Sequence, residues 1–330
     1  MCKVDAGAGA DGWMPFGPRQ PADPQPGIII AGDIRRVYAL PAQILIQSPT
    51  LFLPVVTLLG LIVGSFLNVL VHRLPIMLEA NWRRECEEFL GSRPQPEEAR
   101  PGFNLFFPHS HCPHCQHRIR AYENIPVISF LLLRGKCSDC KQPISLRYPA
   151  IEIITAAVSL LVAAKFGPGW QAVWGLVLSW CLIALSAIDI DRHLLPDAIV
   201  LPFIWLGLFL SLFDVFCDSR SGIIGAIAGY LSLWSVFQLF KLITGKEGMG
   251  FGDFKLLALF GAWLGWQSLL LIVLLSSLVG TFAGVTMIVL LKQDRSVPIP
   301  FGPYLGVAGW VAMMWGDEIT ASYFRLAGIH

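Results

Sequence analysis

Apolar runs broken by short polar stretches organise the chain from residue 51 onward. The first run, "LFLPVVTLLGLIVGSFLNVLV" (51–71), ends in "HRLP", where Arg73 and Pro75 mark the expected exit. A polar insert rich in Arg, Pro, His and Cys occupies 72–147, and apolar runs resume at about 150–166, 171–188, 198–216, 222–243, 256–266, 268–291 and 303–316. A helix needs about 20 mostly apolar residues to cross a hydrocarbon layer of about 30 Å. The pattern therefore predicts an all-α polytopic membrane protein of about eight transmembrane segments, with a cytoplasmic insert after the first. The 256–266 run is short for a crossing, so it is expected to tilt, extend into its flanks or insert only in part. Residues 1–50, rich in Gly, Pro and Ala, are expected to form a poorly ordered extension. They lack the ordered basic, apolar and small-residue regions of a signal peptide. Within them, "GIIIAGDIRRVYALPAQILIQSPT" is a candidate for docking on the membrane surface. No internal repeat is visible.

Composition agrees with the pattern. Hydrophobic residues make up 55% and charged residues 14% of the chain, with a mean hydropathy of +0.61; a soluble domain carries about 25% charged residues. A net charge of +1 gives no global basic field and argues against nucleic acid as a partner. Lipid is the expected surroundings, and a second copy of the chain is a further candidate partner. The distribution of charge is more informative than its sum. With the insert placed in the cytoplasm, that side holds seventeen lysines and arginines and the other side seven. Basic residues favour the cytoplasmic side, so both termini are expected outside the cytoplasm.

Four of the eight cysteines form two C-x-x-C pairs inside the insert, "HCPHC" (111–115) and "KCSDC" (136–140). Cys112, Cys115, Cys137 and Cys140 present two thiolates per turn, a soft four-ligand set suited to one tetrahedral zinc ion. Four thiolates leave no open position for water or substrate, so the expected role is structural. Zinc would hold together a segment with too few apolar residues for its own core. His109, His111, His114 and His117 crowd the first pair and are alternative ligands. A pair of redox-active or disulfide-bonded dithiols is the competing reading.

Carboxylates collect where apolar runs end. "SAIDIDRHLLPD" (186–197) carries Asp189, Asp191 and Asp197, and "GKEGMGFGDFK" (245–255) carries Asp253. The runs before both stretches head inward, which puts Asp189 and Asp253 on one membrane face. Two carboxylates brought close cannot both ionise easily; one keeps its proton while the other stays charged. Such a pair activates a water and protonates a leaving group, as in aspartic proteases. Gly250 and Gly252 would let the backbone approach a peptide or turn to aim the acid. Lys255 is placed either to bias Asp253 or to pair with a neighbouring acid. The simpler reading, acids resting in the polar interface, fits Asp191 and Asp197.

Several motifs in one order resemble the type IV prepilin peptidases, bifunctional leader peptidases and N-methyltransferases of bacterial inner membranes. They are "GSFLNV" (64–69), "HRLP" (72–75), the two cysteine pairs, "ENIPV" (123–127), "RYP" (147–149), "IDIDRHLLPD" (188–197), "GMGFGDFKLL" (248–257) and "PFGPYL" (300–305). The match runs from about residue 58 to the C-terminus. The resemblance implies Asp189 and Asp253 as the catalytic pair, choosing Asp189 over its neighbours. It divides the chain into the extension (1–50), a first transmembrane segment (51–71), a methyltransferase-associated insert (72–147) and a peptidase domain (148–330). It implies prepilin and pseudopilin substrates cut after a glycine on the cytoplasmic side, and S-adenosylmethionine as methyl donor. No Rossmann-type strand, turn and helix is readable; the insert is the expected place for the donor, with Gly135 and Lys136 as candidates. The long extension departs from the family. An ion-coupled carrier would favour inverted repeats and mid-span acids, which this chain lacks. A zinc-stabilised scaffold for a secretion assembly would leave the aspartates dispensable.

Overall fold

A computed structural model describes residues 49–91, 103–246, 249–290 and 300–328. The expectations for the first 48 residues lie outside this set. The described residues hold nine α-helices: α1 (Pro49–Phe89), α2 (Ile128–Leu132), α3 (Arg147–Phe166), α4 (Trp170–Arg192), α5 (Asp197–Ser211), α6 (Ser219–Thr244), α7 (Phe251–Leu264), α8 (Gln267–Leu290) and α9 (Gly302–Leu326). Among them there are no strands beyond two isolated bridges, His111 with Arg118 and Lys136 with Pro143. Each expected apolar run coincides with a helix. Five helices, α1, α3, α4, α6 and α8, are long and apolar enough to cross a bilayer. The apolar α5 and α7 are shorter, and α9 carries Asp317, Glu318 and Arg325 in its second half and kinks at Trp315.

The first helix does not end at "HRLP". It contains Pro54 and Pro75 and continues to Phe89. A proline removes one helical hydrogen bond, but the segment beyond it, with four glutamates, two arginines and single Met, Leu and Ala residues, is made largely of good helix formers. Arg73 anchors the insert. It is 7% exposed and donates to the carbonyls of Asn104 (2.9 Å), Leu105 (3.4 Å) and Pro108 (2.6 Å), tying the insert to α1.

Without water to drive them together, membrane helices associate where small residues let backbones touch. Gly60 and Gly64 of α1 do this against α3: a Cβ on Gly60 would stand 2.6 Å from Ser159 Oγ, and one on Gly64 2.7 Å from Glu152 Cα. Gly225 and Gly261 bring α6 and α7 into backbone contact, each facing the other's carbonyl. Helix α7 explains the short 256–266 run. It packs against α5, α6, α8 and α9, and its residues Leu256–Trp263 are all buried. A helix that is apolar on every side is one surrounded by protein. Indole N–H groups inside the bundle find acceptors: Trp180 on Ser159 Oγ (2.9 Å), Trp310 on Ser179 Oγ (3.0 Å) and Trp263 on the Phe203 carbonyl (2.8 Å).

Candidate active site and metal centre

Asp189 lies in the last turn of α4, and Asp253 in the first turn of α7. Both are at helix ends, yet they are only 6% and 7% exposed. The turn after Asp189 is set by His193, left-handed at φ 50°, whose N–H returns to the Asp189 carbonyl at 2.9 Å. The chain then runs through Leu194, Leu195 and Pro196 into α5. Leu195 is the wedge that assembles the site. A Cβ on Gly252 would stand 2.8 Å from Leu195 Cβ, and one on Gly302 3.3 Å from Leu195 Cδ2. The N-termini of α7 and α9 thus meet the C-terminus of α4 around one leucine. The Gly302 N–H donates to Asp189 Oδ2 at 3.1 Å, and helix N-termini carry the partial positive charge that suits a carboxylate. Asp189 and Asp253 are close enough to interact electrostatically.

Two nearby cations are paired with other acids. Lys255 contacts both carboxylate oxygens of Asp197 at 2.7 Å, which ties the start of α7 to the start of α5. Arg147 reaches Asp191 at 2.5 Å, joining the N-terminus of α3 to the end of α4. The two glycines before Asp253 differ in what they do. Gly252 is demanded by the contact with Leu195, whereas Gly250 has an ordinary φ of −77° and a Cβ there would meet only Asp253 Oδ2, at 3.8 Å.

In the insert, Cys112, Cys115, Cys137 and Cys140 come together, with all four sulfurs within 4.8 Å of one another. Zinc–sulfur bonds of about 2.3 Å place the sulfurs of a tetrahedron about 3.8 Å apart. Cys112–Cys140 and Cys115–Cys137 are separated by 3.8 and 3.9 Å, so the cluster fits such an ion and contains no disulfide. The two pairs are built alike. The Cys112 N–H bonds the His117 carbonyl and the Cys137 N–H the Gln142 carbonyl, both at 2.9 Å, and each turn closes on a residue at positive φ, Gln116 (60°) and Lys141 (59°). Backbone N–H groups of Cys115 and His114 aimed at Cys112 pull its thiol down toward the thiolate, while Cys115 and Cys140 beside it are pushed up. Among described residues the four neighbouring histidines join no metal-ligating group; His117 lies 3.5 Å from Glu123 instead. Gly135 needs its positive φ of 68°, and a Cβ there would press on Phe130 Cζ at 3.0 Å. Lys136 sits on the bridge to Pro143.

Sequence reasoning passed over Leu195 and Gly302. Leu195 carries no chemical signal, and Gly302 stood inside a quoted motif, "PFGPYL", with nothing to say that a carboxylate lay against it.

Two family models match the chain, the bacterial peptidase A24 N-terminal domain over residues 58–166 and the type IV leader peptidase family over 176–285. A prepilin leader peptidase/N-methyltransferase of Stutzerimonas stutzeri is 55% identical over 87% of this chain and 99% of its own length. The protein of the same name from Pseudomonas aeruginosa is 56% identical over 86% of this chain and 97% of its own. That of Xanthomonas campestris pv. campestris is 45% identical over 86% and 98%. No solved structure matches the chain.

Proposed function

The chain belongs to the type IV leader peptidase family, and from that premise we propose that it is a membrane aspartic endopeptidase acting on prepilins. It removes the leaders of type IV prepilins and pseudopilins after a glycine and then N-methylates the new N-terminal residue. The observation that carries this reading is the meeting of two buried carboxylates, Asp189 and Asp253, from separate helices at one end of an apolar bundle. Seventeen basic residues against seven support placing that end in the cytoplasm, with the bundle in the bacterial inner membrane.

The pair works as one ionised and one protonated group. The ionised carboxylate takes a proton from water as the water oxygen attacks the peptide carbonyl carbon. The protonated partner gives its proton to the carbonyl oxygen. Collapse of the resulting diol breaks the C–N bond, and the leaving nitrogen takes a proton from the pair. Gly302 fixes one Asp189 oxygen throughout, and Leu195 keeps the helix ends together. Cys112, Cys115, Cys137 and Cys140 would hold zinc in a structural role, with no ligand position left open for chemistry. S-adenosylmethionine, when bound, supplies an electrophilic methyl group to the freed amine.

The purified chain in detergent should cut a prepilin peptide and add one methyl, both read by mass. Asp189→Ala and Asp253→Ala should each abolish leader loss while the protein keeps its fold. Full processing by either variant would remove the assignment.

A further inference from the structure

Between α1, the cysteine insert and the start of α3 lies a cavity of about 520 Å³. Small-molecule sites span about 300–1,000 Å³, mostly apolar with a few placed polar groups. Here Phe103, Phe130 and Tyr148 supply aromatic surface, and Asn68, Arg73 and Glu152 supply polarity. We infer that this cavity binds the sulfonium methyl donor, with Glu152 as the anion that meets its positive charge. The inference rests on the methyl-transfer reading above and locates it.

Glu152 is the observation that needs explaining. It sits in the second turn of α3 and is 8% exposed. A carboxylate inside an apolar helix packing face is costly. Gly64 of α1 presses on its backbone, and its Oε2 accepts the Val127 N–H at 2.8 Å, so the group is held in place at the cavity wall. No Lys, Arg or His forms an ion pair with it among described residues. Arg73, on the same cavity, spends its guanidinium on three backbone carbonyls. A fixed, buried carboxylate that pairs with no cation among the described residues suits a cationic ligand, whose charge would favour its ionised form. S-adenosylmethionine offers its sulfonium for the acid and a flat base for the aromatic walls, and only the sulfonium distinguishes it from its thioether product. The two candidates from the sequence also fall beside this space. Gly135 backs Phe130, which lines it, and Lys136 precedes Cys137, which does too.

The test uses the full chain in detergent and equilibrium binding of labelled S-adenosylmethionine against its neutral thioether product, S-adenosylhomocysteine. Wild type should bind both and prefer the sulfonium. Glu152→Gln keeps an acceptor for Val127 and removes the charge, so it should lose about tenfold or more in donor affinity, the scale of one charge-assisted contact, with product affinity little changed. Ser129→Trp, placed on the cavity wall, should weaken both ligands while zinc content and leader cleavage stay normal. Unchanged donor affinity in both variants overturns the location while leaving methyl transfer standing. Failure of the wild type to bind either ligand overturns the methyl-transfer reading and this inference with it. An equal loss of both ligands in Glu152→Gln overturns the charge role.

Discussion

A methyl group at position 302 would stand 2.5 Å from Asp189 Oδ2, inside any allowed contact, and the neighbouring N–H is the one that holds that oxygen. Gly302→Ala must therefore move either the carboxylate or the start of α9. A displacement of about 1 Å at a reacting group costs about 100-fold in rate, so kcat for leader cleavage should fall by that order with KM and thermal stability little changed. Gly316→Ala on the same helix is the control, since its new methyl would meet only Leu271 at 3.9 Å; steady-state cleavage by the two variants should separate cleanly. Equal activity would mean that Gly302 does not aim Asp189. Asp197 and Lys255 belong to the same scale of argument. They lie at the rim and partly exposed, where an ion pair contributes about 0–1 kcal/mol, so their pairing orients α7 more than it stabilises it.

Helices α6 and α7 meet backbone to backbone at Gly225 and Gly261. Neither partner atom is the flexible end of a side chain, so nothing can yield without moving a helix. Gly261→Val should destabilise by about 1–3 kcal/mol, the usual cost of overpacking a filled core, read as a lower unfolding midpoint of the purified enzyme. Gly169→Ala, whose Cβ meets nothing within 4 Å, should leave the midpoint unchanged. Much of this level was legible beforehand. Apolar runs located every long helix because lipid and a buried core both demand unbroken apolarity, and orientation counting placed Asp189 and Asp253 on one face. The helix ends were not legible in the same way. Hydropathy sees where a helix leaves the membrane, not where it stops, so α1 ran on past Pro75 to Phe89. The short 256–266 run looked deficient as a crossing because the sequence cannot say that four neighbours surround α7. Leu195 and Glu152 were missed for a related reason: their importance comes from what packs against them across the fold, which spacing does not encode.

The molecule divides its two chemistries between two kinds of order. The carboxylate pair rides on α4 and α7, which the apolar bundle holds by burial. The insert beyond α1 has almost nothing of that sort: among the described residues of 103–146, Cys112 and Cys137 alone are buried. Its order comes from the cysteine cluster, from Arg73 gripping three carbonyls and from short turns. Those same two buried cysteines line the cavity beside Glu152, so loss of the metal should loosen the cavity wall before it disturbs the bundle. The Arg147–Asp191 pair joins the start of α3 to the end of α4 without passing through residues 103–146. Stripping zinc with a chelator should therefore open the insert to limited proteolysis between residues 103 and 146. Binding of the methyl donor should fall in step with zinc content, and leader cleavage should fall less. Metal content, donor binding and cleavage measured on the same samples give the comparison directly. Cleavage that tracks zinc as steeply as donor binding does would show that the insert also shapes the peptidase site, and the separation argued from burial would fail.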